Sequence, residues 1–360
     1  MRTTQKNINL DHLRAISALL VFFSHVFQIF WLPIFGMDTW PHNVVHIISE
    51  SAVLVFFVLS GYVISTSLSK NINRNGGRLK ISEYCVNRIS RIYPPFLFSI
   101  LIASLVFTIV KLFGLPGSAW TLATSQDIYH AREYITLNIS ELLTALVLYK
   151  GLLEINGPLW SLYIEVKMYL FAGLATVIFF TGINSVYKFL FLCILLIFIK
   201  MTFPLLEHLY YPIWWFIGVL FYITENYFSK VGSLVCFLVT LLLLAFINNE
   251  RIYSTIFQLI IICSLFATAL VYRLPENRTL INISSFSYTL YVSHFPLLLL
   301  AYSMFSFCIQ LIGQSLVVRA IFSLLATYLI LILARRFAVY VEDVAFFQRN
   351  VSLIIRKVLA

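Results

Sequence analysis

Apolar stretches of about twenty residues follow one another along this chain, the length an α-helix needs to cross a bilayer. They lie at 10–32, 46–69, 92–113, 158–181, 186–204, 208–226, 231–248, 252–272, 285–309 and 315–335. In hydrocarbon every backbone N–H and C=O must be satisfied internally, so runs of this kind fold as helices. Hydrophobic residues make up 61% of the sequence and charged residues 11%, far below the roughly one quarter charged of a soluble domain. The expectation is an all-α, polytopic transmembrane bundle of about ten spans. The fifth and sixth are parted mainly by Pro204 and Glu207, so nine or eleven spans stay open. No segment reads as a cleavable signal, and the first apolar run is expected to remain as the first span.

Lys and Arg set the orientation. Residues 70–91 hold Lys70, Arg74, Arg78, Lys80, Arg88 and Arg91, whereas 33–45 hold none. Arg273 and Arg278 follow the eighth span, and Arg335, Arg336, Arg349, Arg356 and Lys357 follow the tenth. Placing both termini in the cytoplasm puts all three clusters there, which favours an even number of spans. The net charge of +10 is then topogenic. No basic patch alternates with aromatics in a soluble segment, so nucleic acid is not expected as a partner. The longest segment between spans, 114–157, would be extracytoplasmic: polar over 114–136, then an amphipathic or re-entrant helix over 139–153. No repeat or second domain is visible, and residues 1–360 read as a single membrane domain without a fused soluble one. Five cysteines, Cys85, Cys193, Cys236, Cys263 and Cys308, form no CxxC pair, and neither a disulfide framework nor a metal site follows from them.

Ionisable groups inside such spans are candidates for function. Arg14 and His25 share a stripe of the first span, offset by about 20° and about 16 Å along the axis. Asp11 lies three residues before Arg14 and can pair with it. An imidazole at that depth suits a general base acting on a hydroxyl. Arg14 suits an anion at the cytoplasmic end, or merely anchors the helix at the interface. In the second span Ser60-Gly61 interrupts a strongly apolar run, and close helix packing is the weightier explanation. Arg88 and Arg91 share a face ahead of Tyr93-Pro94-Pro95, where they either grip phosphates or mark the cytoplasmic side. Glu165 lies about two turns inside the fourth span, after Trp160 and Ser161, and does not face Lys167. In the ninth span Ser287, Tyr291 and His294 form a polar stripe with Pro296 just beyond. Each of these has a structural alternative, a hydrogen-bonded helix contact. No Walker loop, GxSxG elbow or HExxH occurs.

Taken in order, LDHLRAISALLVFFSH, FFVLSGYVIS, RISRIYPPF, GPLWSLYIE and SYTLYVSHFP resemble the five motif segments of acyltransferase family 3, integral-membrane enzymes that O-acetylate bacterial surface glycans. Position 12 departs from the pattern, being His where the family more often has Gly. The resemblance implies an acyl-CoA donor, usually acetyl-CoA, as a substrate with no bound cofactor. It implies a hydroxyl acceptor on a lipid-linked or growing glycan such as O-antigen or exopolysaccharide, and a multi-pass protein of the bacterial cytoplasmic (inner) membrane. Carried over by position, His25 is the essential catalytic residue, with Arg14 its motif partner and Glu165 and His294 in the catalytic set. Arg88, Arg91 and Arg14 are the donor-side residues. Asp11, Ser60, Gly61, Trp160, Ser161, Ser287 and Tyr291 support them. The rival readings are a transporter or flippase for a lipid-linked sugar, and a scaffold subunit of a glycan-building complex. Against the first, no repeat-related pair of broken helices is visible.

Overall fold

A computed structural model describes residues 8–37, 39–115, 137–180, 184–202, 210–225, 252–272, 274–312 and 315–350. Among them the regular structure is helical throughout: α1 (Ile8–Phe30), α2 (Leu32–Phe35), α3 (Trp40–Arg74), α4 (Ile81–Leu112), α5 (Ile139–Leu146), α6 (Leu159–Phe180), α7 (Ser185–Thr202), α8 (Tyr210–Thr224), α9 (Ile252–Val271), α10 (Arg278–Ser284), α11 (Ser287–Ile312) and α12 (Leu316–Val341). Six helices in this set are long and apolar enough to cross a membrane, and Ser185–Leu196, Tyr210–Thr224 and Gln258–Val271 are shorter apolar helices. This is a multi-pass membrane protein. The predicted span 231–248 and the polar segment 116–136 lie outside the described residues.

Two predicted boundaries are corrected. The second span, read as 46–69, is a 35-residue helix from Trp40 to Arg74, because its polar ends continue the same backbone ladder beyond the apolar window. The third, read as 92–113, begins at Ile81 and runs through Pro94 and Pro95. A proline pair normally ends a helix at its N-terminal side, yet here Tyr84, Val86 and Ser90 are buried ahead of it, and that packing holds the first turns in register.

The reading of 139–153 as one helix is also corrected. Asn138 caps α5, its side chain accepting from the Glu141 N–H at 2.8 Å, which satisfies one of the open donors at the helix start. The helix stops at Leu146 because Leu148 turns left-handed, at φ +55°, and the Tyr149 N–H closes back on the Thr144 carbonyl at 3.2 Å. Leu152 is left-handed too, at φ +57°. Such backbone costs about 1–2 kcal/mol per non-glycine residue. Both leucine side chains are buried, Leu152 fully, and that burial offsets the strain. Gly151 sits between them at φ +111°, and a Cβ there would lie 2.3 Å from the Glu141 carbonyl oxygen.

The chain forms two compact units, interleaved in sequence. The first comprises 1–17, 50–79 and 168–284, the second 18–49, 80–167 and 285–360. In the first unit α3 and α8 meet at two glycines. A Cβ on Gly61 would lie 2.0 Å from the Trp215 carbonyl oxygen, and one on Gly218 would lie 2.0 Å from that of Val58. Polar ties run alongside: Tyr62 donates to Glu225 at 2.6 Å, and Gln258, buried on α9, donates to Glu50 at 3.0 Å. In the second unit α11 packs against α4 and α12. The buried stripe of α12 is Arg319, Ser323, Ala326, Ile330, Ala334 and Ala338, mostly small residues that admit a close neighbour. Arg319 donates to the Phe30 carbonyl at the end of α1, at 2.6 Å, and its guanidinium lies over the Phe305 ring. The Ile34 N–H, which would continue the ladder onto Phe30, goes instead to the Trp31 carbonyl at 2.9 Å, so the arginine satisfies a carbonyl that the helix end leaves open.

Candidate functional site

The two span histidines meet in the second unit. His25 stands on α1 and His294 on α11, with ring centroids 5.2 Å apart and planes tilted by 32°. Phe22 meets the His294 ring edge-on, and Phe295 does the same to His25. Nδ1 of His294 is 2.9 Å from the Leu290 carbonyl. A carbonyl only accepts, so Nδ1 carries the proton and Nε2 the lone pair. That Nε2 is buried without a hydrogen-bond partner, and the side chain is fully buried. His25 Nδ1 lies 2.8 Å from Oε1 of Gln28, one turn on. With Nδ1–H donating to the amide oxygen, its Nε2 also carries a lone pair. A satisfied packing histidine would not end in a bare acceptor; this arrangement is suited to accepting a hydrogen bond from a hydroxyl.

The turn into α6 is tied to α11 on the same side. Tyr291 hydrogen-bonds Ser161 and donates to the Pro158 carbonyl at 3.3 Å. Ser161 reaches the same carbonyl at 3.1 Å. Asn156, fully buried, donates from Nδ2 to the Val292 carbonyl at 2.7 Å. The Tyr291 ring lies 6.2 Å from that of His294. Ser287, at the start of α11, is buried as its stripe required. Trp160 and Glu165 occupy the first two turns of α6, both half-buried. Lys167 lies 5.4 Å from the Tyr149 ring and leaves Glu165 to other partners. On α4, Arg91 is exposed, while Arg88 lies over Tyr84 at 5.9 Å.

The remaining expected residues belong to the first unit. Arg14 and Asp11 form the anticipated pair at 3.0 Å, and Ser284 donates to the same carboxylate at 3.3 Å. His12, the departure from the family pattern, accepts the Asn277 N–H at Nε2, at 3.3 Å. Asn9 binds the Ala269 carbonyl at 3.0 Å and the Leu274 N–H at 3.2 Å. The first turns of α1 thus clasp the end of α9 and the turn into α10. Ser60 donates to Tyr169 at 3.3 Å, and Gly61 serves the helix contact already described. Arg14 and His25 share α1 but belong to different units.

Gln28 and Asn156 were not singled out from the sequence. Gln28 was legible as the polar residue one turn beyond His25. Asn156 was signalled only indirectly, by Pro296 removing a donor from α11. Among the described residues no group of three or more His, Cys, Asp or Glu side chains is arranged to hold a metal ion.

A family model described as an acyltransferase domain matches residues 7–336. No curated protein and no solved structure matches the chain.

Proposed function

Because this chain belongs to the acyltransferase family whose model it matches from residue 7 to residue 336, we propose that it moves an acetyl group from acetyl-CoA to a hydroxyl of a bacterial cell-surface glycan, such as O-antigen or exopolysaccharide. The observation that carries the mechanism is the His25–His294 pair with its bare, buried Nε2. The acceptor hydroxyl donates its one proton to Nε2 of His25. His25 removes its proton as the oxygen attacks the thioester carbonyl carbon. The C–S bond breaks, the imidazolium returns the proton to the leaving thiolate, and the products are the ester and CoA thiol. His294 orients the glycan by accepting at Nε2 from a neighbouring hydroxyl of the sugar, while Tyr291 and Ser161 hold α11 and the start of α6 together.

Arg88 and Arg91 grip the phosphates of the donor on the cytoplasmic side. Glu165 supports the site from α6. The protein lies in the cytoplasmic membrane with ten spans and both termini inside, its donor entering from the cytoplasm and its acceptor a lipid-linked or growing glycan.

The test compares wild type with His25→Ala at equal membrane levels, measuring ester acetate on the surface glycan by mass spectrometry. Acetate in the wild type alone is expected. Acetate equal in both, or absent from both, overturns the catalytic reading and leaves a transporter or scaffold role in its place. Radiolabelled acetyl retained on His25 without acceptor would exclude direct transfer. Arg88→Ala combined with Arg91→Ala is expected to raise the KM for acetyl-CoA about tenfold or more, the range of losing charge-assisted hydrogen bonds to phosphate; an unchanged KM removes them from the donor site.

A further inference from the structure

In an α-helix the N–H of residue i donates to the carbonyl of residue i−4. Residue 296 of α11 is a proline inside the helix, so the carbonyl of Val292 loses its donor, and the proline ring also crowds it. Val292 is fully buried, and an unsatisfied carbonyl there would favour bending or fraying of this turn. The missing donor comes from elsewhere: Asn156 Nδ2 reaches the Val292 carbonyl at 2.7 Å across 136 positions of sequence. The amide orientation follows from chemistry, since only its NH₂ can donate to a carbonyl. His294 lies between Val292 and Pro296, within the turn this bond completes. Its own Nδ1 is tied to Leu290 one turn back, so its ring follows the helix backbone with little freedom.

We propose that Asn156 is a positioning residue for His294: it replaces the N–H that Pro296 removes and thereby fixes the helical turn that aims the His294 ring at His25. Two sequence segments that read as separate motifs, around Asn156-Gly157-Pro158 and around His294-Phe295-Pro296, are then halves of one device. The proline opens a carbonyl in the middle of the helix, and the asparagine closes it from the loop. The loop is itself held in place, because Tyr291 donates to Pro158 and Tyr163 donates to the Gly151 carbonyl at 2.8 Å. The role given to His294 rests on the acyl-transfer reading above; the bond between Asn156 and the turn does not.

The experiment is a double-mutant cycle on the purified full chain. The variants are Asn156→Ala, Asn156→Asp, Pro296→Ala and the combination of Asn156→Ala with Pro296→Ala. Two quantities are read: the thermal unfolding midpoint, and CoA-thiol release from acetyl-CoA with glycan-bearing membranes as acceptor, with His25→Ala as blank. Asp keeps the shape of Asn without its donor. Both single variants at 156 are therefore expected to lower kcat about tenfold, the scale of one lost hydrogen bond to a buried group, with the KM for acetyl-CoA within about twofold. Pro296→Ala restores the backbone N–H, so in that background Asn156→Ala is expected to change kcat and midpoint little. Should Asn156→Ala yield no folded protein alone, recovery of folded protein in the combined variant carries the same result, and failure of the combination to recover it counts against the proposal. Equal losses with and without Pro296, or full activity in Asn156→Asp, would overturn it. If the wild type shows no release above the blank, the acyl-transfer reading fails, and the midpoints still decide whether Asn156 serves the Pro296 turn.

Discussion

Gly61 was ambiguous as a sequence feature, and its structural surroundings make it a quantitative test. A methyl group at Gly61 would be 2.0 Å from the Trp215 carbonyl oxygen, 3.0 Å from its carbon and 3.3 Å from the Cα of Gly218. These are backbone atoms of a helix, which no rotamer change can remove. Ordinary contact begins near 3.4 Å, so α3 and α8 would have to part locally by about 1.4 Å. Overpacking of this kind costs about 1–3 kcal/mol where the surroundings can shift. Opening the seam adds the loss of dispersion along it, since a gap of about 0.5–1 Å forfeits a quarter to a half of each contact. Gly61→Ala is therefore expected to lie at or above the upper end of that range, lowering the unfolding midpoint by on the order of 5 °C. The assay is thermal unfolding of detergent-purified protein followed by tryptophan fluorescence, with Trp214 and Trp215 beside the seam on α8. The reciprocal position supplies a control. Gly218→Ala meets the Val58 carbonyl oxygen at 2.0 Å and should cost as much alone. The two changes share one seam, so the second should add much less than its single effect once the first has opened it. A midpoint within about 1 °C of wild type for Gly61→Ala, or full additivity of the pair, would refute the reasoning: the first would mean that the contact is absent, the second that the two glycines do not face the same seam.

Two further outcomes follow from side chains around the second unit. Gln28→Leu removes the oxygen that His25 Nδ1 meets at 2.8 Å, and is expected to lower kcat about tenfold, within the usual range for an acid–base group losing its orientation. Gln28→Glu keeps an acceptor and should retain most of the rate, so equal losses in both variants would argue against tautomer control. Outside the spans, burial, helped by Glu154, pushes the Glu141 carboxyl above its ordinary value of 4.5, partly offset by a backbone hydrogen bond from Leu152. A folded-state value above the unfolded one means that the folded chain holds this proton more tightly. Its contribution to stability is therefore largest in acid and declines as pH rises from the ordinary carboxylate value through the raised one. Glu141→Gln should remove that decline, with its midpoint gaining on wild type across that window and running parallel above it. A pH-independent difference would show that the carboxyl does not titrate this way.

The parts of the fold and site legible in advance are those that act through local pattern. Apolar runs located α1, α6, α7, α8, α9 and α11 within about three residues of their ends, because hydrocarbon forces backbone pairing within each run; the run at 315–335 located the start of α12, which continues to Val341. Arg14 with Asp11 followed from i,i+3 spacing. The failures lie where distant groups decide. The left-handed turn at Leu148 depends on burial of that side chain by other segments, and the early start of α4 depends on packing around Tyr84, Val86 and Ser90. Arg319 is the instructive miss, an arginine inside a predicted span that the site reasoning passed over. Intramembrane charge alone marks a candidate, yet the guanidinium of Arg319 serves the Phe30 carbonyl and stacks on Phe305, which gives it a structural task. His294 is also buried and ends in an acceptor with no partner. What separates the two is the remaining valence of the polar group once the helix ends and proline gaps around it are satisfied. That quantity cannot be read from hydropathy, and it is why the imidazole on α11, and not the arginine on α12, belongs with His25.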